Sequence, residues 1–168
     1  MFNVEMNLER SVATEADSCN AADFKIIFSN RMIYRSKAPL RIGLAGGGTD
    51  VSPYSDLYGG AILNATISLN AHATIEPLNE KKIILTAIDR QEELIFDWAK
   101  ELPVSGQLDL LKGVYNRIQK DHNLINTGFR LSTYVDAPAG SGLGTSSTLV
   151  VAIIGAFAEI YFVPNWEH

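Results

Sequence analysis

The chain has 168 residues, of which 46% are hydrophobic and 20% charged. That balance suits one globular domain with a real core and excludes a disordered chain. A net charge of −5 without a Lys/Arg cluster disfavours general nucleic-acid binding. The single cysteine, Cys19, excludes an internal disulfide and fits a reducing, cytoplasmic setting. No apolar run reaches the roughly 20 residues of a membrane span, and the first residues do not read as a secretory signal.

Residues 1–31 are polar and poorly patterned, and read as a disordered extension. The organised pattern begins at Met32. From Met32 to Leu44, β-formers flank Pro39, which predicts a strand with the proline at an edge or bend. Residues 45–50, AGGGTD, are a loop, because three consecutive glycines suit neither a helix interior nor a central strand. Ser52-Pro53 predicts a short helix, with Ser52 as N-cap and Pro53 at the first helical position. Gly59-Gly60 ends it. Residues 61–77 alternate and predict one long strand or two short ones. Residues 82–88 and 93–98 predict two further strands joined around Asp89-Arg90.

Between Leu108 and His122, apolar residues at 110, 111, 114, 115 and 118 form a helical stripe. Residues 129–135 alternate as a strand. Residues 138–144, PAGSGLG, form a second glycine loop. Residues 145–162 predict a helix that is apolar nearly all round and therefore buried. Strands and helices mix without strict β-α-β alternation, which predicts an α+β fold.

The chemistry concentrates in the segment DAPAGSGLGTSST, residues 136–148. A strand runs into a glycine loop, and the loop runs into the start of a long helix. The free N–H groups of the first turn and the helix dipole make an anion site. Thr145, Ser146, Ser147 and Thr148 add hydroxyls that can donate to phosphate or ligate Mg²⁺. No lysine follows the loop, so it is not a Walker A sequence. The G-x-G-x-G spacing differs from the dinucleotide fingerprint, and no nucleophile elbow is present. A second constellation, PLRIGLAGGGTD at 39–50, places Arg41 before a glycine loop and Asp50 after it. Arg41 can stabilise charge on a phosphoryl group in transfer, and Asp50 can accept hydrogen bonds from sugar hydroxyls.

Together these two loops resemble the first two motifs of the GHMP kinases. The resemblance spans Met32 to Val163. It implies an α+β, mixed-sheet N-terminal domain of the ribosomal protein S5 domain 2-like type over residues 32–168. It further implies ATP and Mg²⁺. Pro138, Gly140, Ser141, Gly142, Leu143, Gly144, Thr145, Ser146 and Ser147 fall on the ATP-phosphate loop, with Ser146 on the magnesium-ligating serine. Arg41 falls on the basic position of the first motif, as the charge-stabilising residue. Gly47, Gly48, Thr49 and Asp50 fall where the sugar is held. Galactose-phosphorylating members carry Glu-His where this chain has Gly47-Gly48, which argues against that branch. The runs RSKAPLRIGLAGGGTDVSPY and GGAILNATI are similar to the branch that phosphorylates heptose 7-phosphate or fucose at the anomeric hydroxyl. A phosphate- or RNA-binding module on the same fold is the alternative in another class.

Members of the family run to roughly twice this length. Their catalytic Asp falls beyond His168, so the expectation is weak ATP binding, no turnover by this chain alone, and exposed apolar surface that favours pairing, including a homodimer. Asp89, Asp136 and His72 read as structural, and His122 as a solvated residue facing the helix dipole. Trp98 and Trp166 read as packing residues. Asn64-Ala-Thr66 matches a glycosylation pattern but carries no weight without a signal peptide.

Overall fold

The structure, a computed structural model, describes residues 33–122 and 127–161. The expectations for residues 1–31, Cys19, Met32, Phe162 and Trp166 lie outside the described residues. Five strands and three helices follow in chain order: β1 (Tyr34–Ala45), α1 (Tyr54–Tyr58), β2 (Leu63–Leu78), β3 (Lys82–Ala87), β4 (Glu92–Asp97), α2 (Asp109–His122), β5 (Gly128–Val135) and α3 (Thr145–Tyr161). The strands form one sheet in the order β1-β2-β5-β3-β4. All pairs are antiparallel except β3 with β5. The α+β expectation holds, with a mixed sheet.

Alternation sets the two faces. Ala38, Leu40, Ala71, Ala73, Ile75, Ile83, Leu85, Phe129 and Leu131 are buried and form the inner face with Thr133 and Val135. Between them on the outer face stand Lys37, His72, Thr74, Glu76, Arg130 and Tyr134. Helices α2 and α3 cover the inner face. Phe129 of β5 contacts Tyr115 of α2 and Phe157 of α3, with ring centroids 5.7 and 5.4 Å away. Burying such rings is the main stabilising term in a core of this size. Tyr115 also donates its hydroxyl to the Ala99 carbonyl, so its polar end is satisfied in the interior.

Pro39 lies on the edge strand β1, where a missing N–H does no harm, and the register shifts between Pro39 and Arg41. Residues 63–78 form one continuous strand, not two. Gly155 of α3 lies against Ser36 of β1, and a Cβ there would come within 2.6 Å of the serine oxygen. The missing side chain lets helix and strand approach closely.

Two expectations are corrected. Pro53 stands at the N-cap of α1, and the Ser52 hydroxyl donates to the Asp56 carboxylate instead of capping the backbone. The Pro53 carbonyl accepts the first intrahelical bond, from the Leu57 N–H, at φ −88° and ψ −1°, so the regular helix starts one residue later than expected. Helix α3 is not buried all round: Val151 and Ile154 are about half exposed. Two layers leave the back of α3 facing solvent. With α2 it lines an apolar groove formed by Leu110, Val114, Ile118, Val150 and Ile154. No helix among the described residues is long and apolar enough to cross a membrane.

At the start of α2, the ammonium of the buried Lys112 lies 2.6 Å from Asp109. That contact, and then the Gly106 N–H, hold the Asp109 carboxyl below its usual range. A depressed carboxylate contributes stability above its unfolded pKa and loses it as pH falls through the folded value. Amide protection in the first turn of α2, taken relative to the intrinsic exchange rate at each pH, is therefore expected to fall as pH drops below the ordinary aspartate range. Asp109→Asn should remove that acid-dependent component.

Candidate functional site

The second glycine loop, residues 136–144, joins the end of β5 to the start of α3. Asp136 fixes its origin. The Asp136 N–H donates to the Asn70 carbonyl at 3.0 Å, and its carboxylate accepts the Asn70 N–H at 2.7 Å. His72 Nε2 lies 3.5 Å from the other carboxylate oxygen. The loop is thus stapled to β2 before it turns. The Ser141 N–H donates to the Pro138 carbonyl, which closes the turn. Gly140 and Gly142 both have positive φ, as does Gly144 at +72° just before the helix. A side chain at Gly144 would be strained there and would press on Arg41.

Helix α3 has no acidic residue in its first turn. Ser146 and Ser147 are exposed and Thr145 half-buried, so these hydroxyls stand at the loop. Thr148 is buried, so its hydroxyl is withdrawn from the site, contrary to the expectation that it adds to it. Thr148 lies one turn before the fully buried Ala152, on the face of α3 that packs into the core.

The first glycine loop, residues 46–50, follows β1. The Thr49 N–H donates to the Gly46 carbonyl at 3.1 Å. The Thr49 hydroxyl donates to the same carbonyl at 2.7 Å and accepts the Ala61 N–H at 3.1 Å. Thr49 therefore sews the loop to the chain entering β2. Gly46 has φ +76°, and a Cβ on it would meet the Ala61 carbonyl oxygen. Gly47 and Gly48 face open space, and Asp50 is exposed. Their backbone and carboxylate are accessible to a ligand.

Arg41 ties β1 to the second loop and to β2. Its N–H donates to the Leu143 carbonyl at 3.1 Å. Its guanidinium lies over Gly144: a Cβ on that glycine would sit 3.2 Å from Arg41 Nε. Arg41 Nη1 donates to Asn64 Oδ1 at 3.1 Å. In the β1–β2 ladder Arg41 stands opposite Thr66 and Gly43 opposite Asn64, so Arg41 and Asn64 are diagonal neighbours on one face. The guanidinium stands beside the N-terminus of α3. A cation next to the positive end of a helix dipole is unfavourable by about 0.3–1 kcal/mol, and an anion between them reverses the sign. The arrangement can accept a negatively charged ligand.

Sequence reasoning placed Arg41, the glycines and the hydroxyls in two segments, and the structure brings Arg41 onto the phosphate-type loop. It did not foresee the hydrogen bond from Arg41 to Asn64, since Asn64 was noted only within a glycosylation pattern. It left Asp136 and His72 as structural, which agrees with their place behind the loop.

A fold of this kind with this loop pair defines a class. Residues 109–167 match the family model for the GHMP kinases N-terminal domain. The chain belongs to the GHMP kinase family and carries sequence of its N-terminal domain. It is 48% identical to the D-glycero-alpha-D-manno-heptose 7-phosphate kinase of Campylobacter jejuni, over 80% of this chain and 40% of that protein. It is 29% identical to the L-fucokinase/L-fucose-1-P guanylyltransferase of Bacteroides fragilis, over 79% of this chain and 16% of that one. A crystal structure of a D-glycero-D-manno-heptose 1-phosphate kinase from Bacteroides thetaiotaomicron superposes with a TM-score of 0.72 at 56% identity, covering 77% of this chain and 42% of that one. The chain thus spans about two fifths of the length of the heptose phosphate kinases it matches.

The loop contacts make one substitution informative. Gly46→Ala cannot be absorbed by a flexible side chain, since it meets a backbone carbonyl. It is expected to destabilise the chain by about 1–3 kcal/mol in urea denaturation and to raise amide exchange at Ala61.

Proposed function

We propose that this chain supplies the ATP-phosphate site and part of the acceptor site of a sugar kinase. The reaction transfers the γ-phosphoryl group of ATP to the anomeric hydroxyl of a sugar, with D-glycero-D-manno-heptose 7-phosphate as the acceptor. The observation that carries this reading is the Arg41 guanidinium packed over Gly144, at the start of a helix whose first turn holds no acid.

The nucleotide phosphates would lie along the backbone of residues 140–147. There the loop and first-turn N–H groups, with the Thr145, Ser146 and Ser147 hydroxyls, donate to them. Arg41 would face the charge that spreads over the phosphoryl oxygens in transfer, where a fixed cation stabilises the transition state more than the ground state. Gly47, Gly48 and Asp50 would receive the acceptor, with the carboxylate taking hydrogen bonds from its hydroxyls.

Magnesium fits this site only as an ion shared with the phosphates. Among the described residues no group of three or more His, Cys, Asp or Glu side chains could hold a metal. The exposed Ser146 hydroxyl would supply one oxygen, and Mg²⁺ commonly takes most of its remaining ligands from phosphates and water. When bound, the ion neutralises phosphate charge. The acceptor assignment rests on the heptose phosphate kinases at 48% and 56% identity.

Titration of ATP into the chain is expected to show weak binding that Arg41→Ala reduces about tenfold or more, the worth of a hydrogen bond to a charged group. Binding unchanged by that substitution would remove the role given to Arg41. In the intact gene product, ADP release with heptose 7-phosphate should exceed that with L-fucose at least about tenfold, a margin within reach of one lost polar contact. A faster reaction with L-fucose would move the acceptor to the other sugar.

A further inference from the structure

We infer that Asn64 is a positioning residue that aims the Arg41 guanidinium at the anion site without neutralising it. The inference rests on the anion site proposed above and extends it to a residue assigned no role there.

The geometry is direct. Asn64 Oδ1 accepts from Arg41 Nη1 at 3.1 Å, while Arg41 Nε lies toward Gly144. One edge of the guanidinium is therefore held by β2, and the backbone of the same residue is held by Leu143. An arginine side chain has several rotatable bonds and carries about 2 kcal/mol of rotamer entropy. Arg41 is exposed and packs on one side only, over Gly144, so a polar anchor on the other side completes its placement.

The chemistry of the anchor matters as much as its place. Residues that hold an arginine are commonly carboxylates, which form bidentate pairs with it. Other arginines of this chain follow that habit: Arg90 pairs with Glu92, Arg117 with Asp121, and Arg130 with Glu93. At Arg41 the partner is an amide. An amide oxygen orients the guanidinium through one hydrogen bond and leaves its full charge for a ligand. A carboxylate in the same place would cancel the field that a phosphate is to feel. Asparagine and aspartate have nearly the same shape, so charge can be tested apart from packing.

The test uses the full chain and three proteins: the parent, Asn64→Ala and Asn64→Asp. Two readouts are taken, the NMR order parameter of the Arg41 Nε–H and the affinity for inorganic tripolyphosphate. Asn64 is exposed on its strand, so all three should melt within a few degrees of one another. In Asn64→Ala the Arg41 side chain is expected to lose order, and tripolyphosphate to bind severalfold more weakly. In Asn64→Asp the side chain should stay ordered, yet tripolyphosphate should bind at least tenfold more weakly, and added salt should narrow the gap. An Arg41 equally ordered in Asn64→Ala would overturn the positioning role. Equal anion binding by the parent and Asn64→Asp would overturn the argument from charge. A parent chain that binds no tripolyphosphate would count against the anion site itself, and the Arg41 order parameters would still decide whether Asn64 positions it.

Discussion

The placement of β5 between β2 and β3 is the constraint on which the rest depends. The strand is bonded on both edges, antiparallel to β2 and parallel to β3. A central strand with both ladders filled has little freedom to slip, because a one-residue shift would turn Phe129 and Leu131 out of the core. Phe129 in turn touches an aromatic ring from each of the two main helices. The strand that locks the core is also the strand whose end releases the second glycine loop. A strand paired on both edges thereby sets the origin of the second glycine loop.

Rigidity reaches the site by two routes. From one side, Asp136 and Asn70 exchange hydrogen bonds, so the loop leaves β5 in register with β2. From the other side, the edge strand β1 bonds the far end of the loop through Arg41 and Leu143. Between these points the backbone turns through positive-φ glycines. Donors held in advance need no reorganisation when charge develops, which is the physical basis of electrostatic catalysis. The first loop is organised differently. Its threonine is spent on the loop's own closure, and what it offers outward is glycine backbone and one carboxylate.

Much of this was legible in the residues. The glycine clusters, the stripe at 110–118 and the alternation in β3, β4 and β5 gave each element nearly in place, because local pattern determines them. Pro39 marked an edge or a bend in β1, and the strand has both. Three things did not follow. The order β1-β2-β5-β3-β4 depends on long-range pairing, which no local pattern encodes. The exposed back of α3 depends on how many layers the fold has, and uniform apolarity does not report it. The Arg41–Asn64 pair depends on ladder register and on a shift beside Pro39. No single segment announces it, although both residues lie in plain view. For the same reason Asn64 read as part of an unrelated tripeptide, and Thr148 read as one more hydroxyl of a row.

The close seat of Gly155 against Ser36 has a mechanical meaning. Helix α3 and strand β1 are keyed together about three turns away from the glycine loop, like a peg in a notch. A helix seated in this way resists sliding along its own axis. The start of α3 and the segment of β1 that carries Arg41 therefore keep a constant spacing, whatever strain a bound anion puts on them. Adjustment to ligands of different size must then come from the swing of side chains and from the first glycine loop, while the gauge between cation and helix terminus stays set.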